Sequence, residues 1–129
     1  GLRVTVKLLD RDSFNELVDV RDGAIFYFSR AADYAAPNAM LSTFLSDSGL
    51  NTMGWKNAEF DQLVRAAAIA PARLERVALY RKALEILQTS DAAIVPLHQD
   101  NVSYLLSPRV KGLELGPLGS VDFRRVSLQ

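Results

Sequence analysis

The sequence predicts an α/β fold, a mixed sheet with flanking helices followed by a strand-bearing C-terminal tail. Three observations carry this expectation. Leu2-Arg3-Val4-Thr5-Val6-Lys7-Leu8 alternates strictly between apolar and polar residues, Ala24-Ile25-Phe26-Tyr27-Phe28 is an unbroken apolar run, and the stretch from Asn57 to Thr89 places apolar residues at helical spacing. Period two marks a strand with one polar face, an unbroken run marks a strand covered on both faces, and a 3.6-residue period marks a helix. The 129 residues, 49% of them hydrophobic, suit one domain with a sizeable core.

Composition removes several function classes. Zero cysteine excludes disulfide scaffolds, zinc ribbons and thiol nucleophiles. Fifteen basic residues balance fifteen acidic ones, so there is no basic excess to attract nucleic acid. No apolar run approaches the ~18–20 residues of a membrane span, and no signal peptide opens the chain. One histidine without cysteine leaves little from which to build a transition-metal site, and no metal or other cofactor is expected.

The elements follow in order. After the Leu2–Leu8 strand, Ser13 with Glu16 three residues on has capping-box spacing, which predicts a short helix from there to about Val20. Arg21-Asp22-Gly23 should stop it. Strand, helix and the Ala24–Phe28 strand together make a βαβ unit with a parallel pair. Ligand chemistry in such sheets gathers past the carboxyl ends of the strands, here Ser29 through Pro37. A short helix is expected over Asn38–Leu45, and a turn at Asp47-Ser48-Gly49. Asn57 is a natural N-cap, with Glu59 in the first turn and Phe60, Leu63, Val64 and Ala67 on one stripe. Pro71 fits the first position of a second helix running to about Thr89, with Leu74, Val77, Leu84 and Leu87 inward. Beyond Asp91, the short apolar stretches Ala93–Leu97 and Val102–Leu106 read as strands, with Pro96 placing the first at an edge. A glycine-rich loop then leads to a last strand among Val121, Phe123, Val126 and Leu128.

Few residues carry chemistry. His98, with Asp100 and Ser103 nearby, has the composition of a hydrolytic triad, but such triads are defined by geometry, and ordinary hydrogen bonding is the simpler reading. Asp10 and Asp12, flanking Arg11 in a strand-to-helix turn, favour capping over metal binding. Asp33 stands apart. It follows the apolar run in Ser29-Arg30-Ala31-Ala32-Asp33-Tyr34, and a partly desolvated carboxylate there would bind an ammonium group strongly. Two other roles remain open for it: capping the Asn38 helix, or pairing with Arg30.

The residues resemble a family. Asp33-Tyr34-Ala35-Ala36-Pro37, Leu41, Phe44, Ser48-Gly49-Leu50-Asn51-Thr52, Trp55-Lys56-Asn57-Ala58-Glu59-Phe60-Asp61, Leu79-Tyr80-Arg81-Lys82-Ala83, Val95-Pro96-Leu97, Val110-Lys111-Gly112 and Phe123-Arg124 stand in the order and spacing of the extracytoplasmic oligopeptide- and dipeptide-binding proteins, family 5 of the ABC-transporter solute-binding proteins. The resemblance covers nearly the whole chain and points to the C-terminal portion of such a protein. It implies part of a type II-like periplasmic-binding-protein lobe over residues 1–98. Residues 99–129 would be a tail crossing back to the first lobe, and the isolated piece is expected to form one compact unit. In the family, two lobes close over a peptide, and no catalysis is involved.

The resemblance also implies the site. Asp33 matches the aspartate that holds a peptide's free α-amino group. Tyr27, Phe28, Ser29, Arg30, Ala31 and Ala32 would line the cleft and offer backbone groups to an extended ligand; Asn51, in the matching stretch that follows, joins the ligand-facing set. Ser29 and Arg30 stand where the family usually carries glycine and tryptophan. The change removes an aromatic wall, and Arg30 either neutralises Asp33 or favours an acidic ligand group. The resemblance further implies a periplasmic or extracytoplasmic location, lipid-anchored or secreted, and a membrane permease as partner. Unpaired tail strands in an isolated fragment would recruit a second copy or fold back on themselves. Two alternatives accompany this reading: the ligand-sensing domain of a bacterial transcription regulator, and a binding protein for glutathione, a nickel complex, haem or an oligosaccharide.

Overall fold

A computed structural model describes residues 1, 3–20, 25–101, 103–116 and 118–129. Leu2, the Arg21–Gly23 helix stop, Ala24 at the head of the apolar run, Val102 and Pro117 lie outside the described residues.

The body of the fold is helical. Helix α1 spans Arg11–Val20, α2 spans Pro37–Leu41 and continues as a 3₁₀ turn over Ser42–Phe44, α3 spans Ala58–Ile69, and α4 spans Arg73–Glu85 and widens into a π-helical turn over Ile86–Ser90. Each start has a local cause. Asp10, rather than Ser13, caps α1: its Oδ1 accepts from the backbone N–H of Asp12 at 3.1 Å and Ser13 at 3.0 Å, and its Oδ2 accepts from the Ser13 hydroxyl. These bonds hold the Asp10 carboxyl below its ordinary pKa, Ser13 contributing most. Capping was the role expected of this acidic pair; the Ser13–Glu16 box begins three residues late because Asp10 already satisfies the helix's free N–H groups. Asn57 caps α3 as expected, its Oδ1 accepting from Phe60 N at 3.0 Å. Pro71 stands two residues before α4, whose N-cap is Ala72, in extended conformation.

Helix α3 packs on α4 and on α2. Leu41, Phe44, Phe60, Val64, Ala67, Tyr80, Ala83 and Leu87 form the core, with Met53, Trp55, Leu63, Leu84 and Ile94 against its margin. Trp55 meets Phe60 edge-on, ring centroids 5.0 Å apart. Ala67 and Ala83 are fully enclosed, and with no side chain beyond Cβ they let the two helices approach closely. The α4 stripe matches expectation only in its second half: Leu87 is fully buried and Leu84 packs against the core, but Leu74 is 84% exposed and Val77 46% exposed, and Tyr80 and Ala83 join the buried face. All of these have helical period; how far the buried stripe runs is set by where α3 lies, which is a tertiary fact.

The expected parallel pair is not formed among the described residues. Residues 3–10 and 25–32 carry no helix or strand, and Val4, Val6 and Leu8 are exposed. Residues 93–101 and 103–106 are likewise without regular structure. A strand exists only through a neighbour's N–H and C=O groups, and alternation within one segment cannot supply them. The βαβ expectation survives only in part: Phe14 of α1 meets Phe26 edge-on at 6.0 Å, so the helix does lie on the apolar run.

The sheet content sits in the tail. Strands β1 (Val110–Lys111), β2 (Glu114–Leu115), β3 (Val121–Asp122) and β4 (Ser127–Leu128) form two antiparallel pairs, β1 with β4 and β2 with β3. Val110 faces Leu128 and Glu114 faces Asp122. The tail thus folds back on itself. Gly112 makes this possible at the β1–β2 corner: its φ of +73° is in the left-handed region, and a Cβ there would collide with the Arg125 carbonyl. The α/β class therefore stands as helices joined to small sheets.

Candidate functional site

The segment from Tyr27 to Asp33 leads from the α1 contact into α2. Tyr27, Phe28, Ser29, Ala31 and Asp33 are exposed, and Arg30 and Ala32 are half-buried. Asp33 opens a bend over residues 33–36 that precedes the helix. The N-cap of α2 is Ala36, in extended backbone with no side-chain bond, and Pro37 holds the first helical position. Asp33 therefore does not cap this helix. Among the described residues its carboxylate has no hydrogen bond and no ion pair. Tyr34 steadies the bend instead, its hydroxyl accepting from Asn38 Nδ2 at 3.1 Å.

Arg30 points elsewhere. Its Nη2 donates to the Leu50 carbonyl at 3.3 Å. Its guanidinium carbon lies 5.4 Å from the Phe28 ring centroid and 5.8 Å from that of Phe44. This is cation–π geometry on two faces. Of the roles left open for Asp33, pairing with Arg30 is thus not the one adopted in this structure.

The loop receiving Arg30 is braced throughout. Asn51 Nδ2 donates to the carbonyls of Trp55 at 2.7 Å, Leu45 at 3.2 Å and Phe44 at 3.4 Å. Three carbonyls at one end fix which way the amide points, and Asn51 Oδ1 is left buried without a partner. Asp61, buried on α3, accepts from Ser46 N at 3.0 Å. Arg65 pairs with Asp47 at 2.7 Å. The sequence marked Asn51 through the resemblance; its stitching of loop carbonyls gives no signal in a single sequence. Asp61 and Arg30's clamp were likewise missed, since each joins residues 15 or more positions apart.

Beyond α4, Asp91 Oδ2 accepts from both Trp55 Nε1 at 2.9 Å and Asn57 Nδ2 at 3.0 Å. His98 Nε2 meets Asp100 Oδ1 at 3.1 Å on the surface, and Ser103 makes no bond to His98 among the described residues. No triad is assembled there. No cluster of three metal-ligating side chains occurs among the described residues, and no described helix is long and apolar enough to cross a membrane. Two open hollows lie against β2–β3 and between α3 and the end of α4; Asp33 lines neither. Asp33 stands on an open surface.

Comparison with known proteins bears on the family and the fold. No protein-family model matches the chain. The dipeptide-binding protein DppE of Bacillus subtilis is 32% identical over 127 residues, 96% of this chain and 23% of DppE. The periplasmic oligopeptide-binding protein OppA of Escherichia coli is 35% identical over 115 residues, 87% of this chain and 21% of OppA. The chain belongs to family 5 of the ABC-transporter solute-binding proteins. It corresponds to a C-terminal portion of them and spans under a quarter of the length of these two relatives. The solved structure of the pheromone receptor PrgZ, described with its mode of peptide binding, superposes on the whole chain with a TM-score of 0.71 at 25% identity, the chain covering 24% of that protein. This identifies the fold as part of a periplasmic-binding-protein lobe.

Proposed function

We propose that this chain takes part in capturing peptides for an ABC importer, as the C-terminal portion of an extracytoplasmic solute-binding protein. One observation carries the reading to the atomic level: a carboxylate at Asp33, without a bond among the described residues, at the head of a bend and after a largely exposed segment without regular secondary structure. Such a group has its full capacity to accept from a peptide's ammonium. The family membership and the printed names of DppE and OppA as di- and oligopeptide-binding proteins support the ligand class.

In this reading Asp33 anchors the α-amino group and the backbone of Tyr27–Ala32 runs beside the ligand. Main-chain pairing of that kind gives affinity while leaving side-chain identity free. Asn51 contributes by holding the neighbouring loop in place. Residues 1–98 form part of the second lobe, and residues 99–129 are the tail that crosses to the first. Function arises from closure: a ligand touching both lobes favours the closed state, and a membrane permease receives it. No chemical step on the ligand is required.

The test is Asp33→Ala in the full-length protein, with trialanine binding measured by calorimetry. Loss of a charge-assisted contact should cost roughly 2–3 kcal/mol, about 30- to 150-fold in affinity. Unchanged affinity would remove Asp33 from the site.

A further inference from the structure

Asp33 and Arg30 are three residues apart, of opposite charge, and on one exposed stretch of backbone. An arginine–carboxylate fork is the strongest interaction open to either side chain. The structure does not use it. Arg30 spends its guanidinium on the Leu50 carbonyl and on the Phe28 and Phe44 rings. Among the described residues, this is the only hydrogen bond that residues 25–33 make to any other part of the chain. The receiving side is rigid: Phe44 belongs to the core, and Leu50 lies in the loop stitched by Asn51 and tied to α3 through Asp61 and Arg65.

From this we infer that Arg30 is a positioning residue: its guanidinium pins the segment bearing Asp33 to the helical body and, by being held there, leaves the Asp33 carboxylate free. Only arginine suits the task. Its planar fork donates to a carbonyl while its faces lie against aromatic rings, whereas a lysine ammonium does one or the other. The arrangement also answers how the chain tolerates arginine beside its ligand anchor, since a mobile cation there would compete with the incoming ammonium.

The chain contains no cysteine, so paired spin labels can be placed cleanly. Ala31 is exposed, and a Cβ at Gly49 meets nothing within 4 Å. In the Ala31→Cys/Gly49→Cys protein, the label–label distance should be narrow. Arg30→Ala should broaden it while the helical circular-dichroism signal is unchanged; Arg30→Lys should restore the narrow distribution only in part. An unchanged distribution in Arg30→Ala overturns the inference, as does full rescue by lysine. The functional arm rests on Asp33 as ligand anchor: in the full-length protein, Arg30→Ala should weaken trialanine binding about tenfold. If the unsubstituted protein fails to bind trialanine, the peptide reading falls and the pin stands on the distance data. If it binds and Arg30→Ala binds as well or better, the pin falls and the peptide reading stands.

Discussion

Asn57 performs two tasks with the two ends of one amide. Its Oδ1 caps α3 through Phe60 N, and its Nδ2 donates to Asp91, the carboxylate that also receives Trp55 Nε1. Asn57→Ala removes both. Loss of an N-cap costs about 1 kcal/mol, within a range of 0.5–2. The bond to Asp91 adds less than about 1 kcal/mol, because that carboxylate is in contact with water. Together these give roughly 1–2 kcal/mol in urea unfolding followed by circular dichroism. Two further substitutions separate the tasks. Asn57→Ser keeps a capping oxygen and loses the donor, so it should be milder than alanine. Asn57→Asp also keeps the cap but sets a second carboxylate against Asp91; at neutral pH it should be no more stable than alanine and should recover in acid. Trp55 fluorescence should follow the loss of the shared acceptor's second donor. The reasoning fails if serine and alanine are equivalent, or if aspartate is as stable as asparagine at neutral pH.

Other outcomes follow from the same structure. Leu87 is fully buried where the π-helical turn meets the core, so Leu87→Ala should destabilise by about 2–5 kcal/mol; a loss under half that, by urea unfolding, would show that the site collapses around the gap. Asp10 has a folded pKa below its ordinary value of 3.8. Its contribution to α1 is therefore complete above that ordinary value and disappears as pH falls through the lowered one. Carbon chemical shifts of residues 11–14 should report fraying only in that acid range, and Asp10→Ala should fray the same turn at neutral pH.

What could be read from the sequence divides by range. The cap at Asn57 and the stripe through Phe60, Val64 and Ala67 depend on neighbours within a turn or two, and both are found in place. In α4 the expected Leu84 and Leu87 do face the core, whereas Leu74 and Val77 satisfy the same period and lie exposed; only the position of α3 decides how far along the helix the buried stripe runs. The extended segments failed for a stronger reason. Alternation from Val4 to Leu8 states a preference for a sheet surface, and the backbone partner that realises it must come from elsewhere. In the tail, where partners lie within twenty residues, β1–β4 and β2–β3 do pair. The candidate site shows the same division: Asp33 could be marked from its stretch of sequence, whereas Arg30 reaching Leu50 could not.

The widened end of α4 has a bearing on everything after it. The backbone N–H of Asp91 reaches the carbonyl of Ile86, five residues back, and Leu87 O then accepts from Ile94 N at 3.3 Å. A loop of hydrogen bonding with one residue more than an α-turn is geometric slack taken up inside the helix. It resets the angular heading at which the polypeptide departs, so that Asp91 turns toward Trp55 and Asn57 while the chain doubles back over its own last turn. Shortening that stretch by a single residue would leave both long helices as they are and send residues 92–129 off along another course.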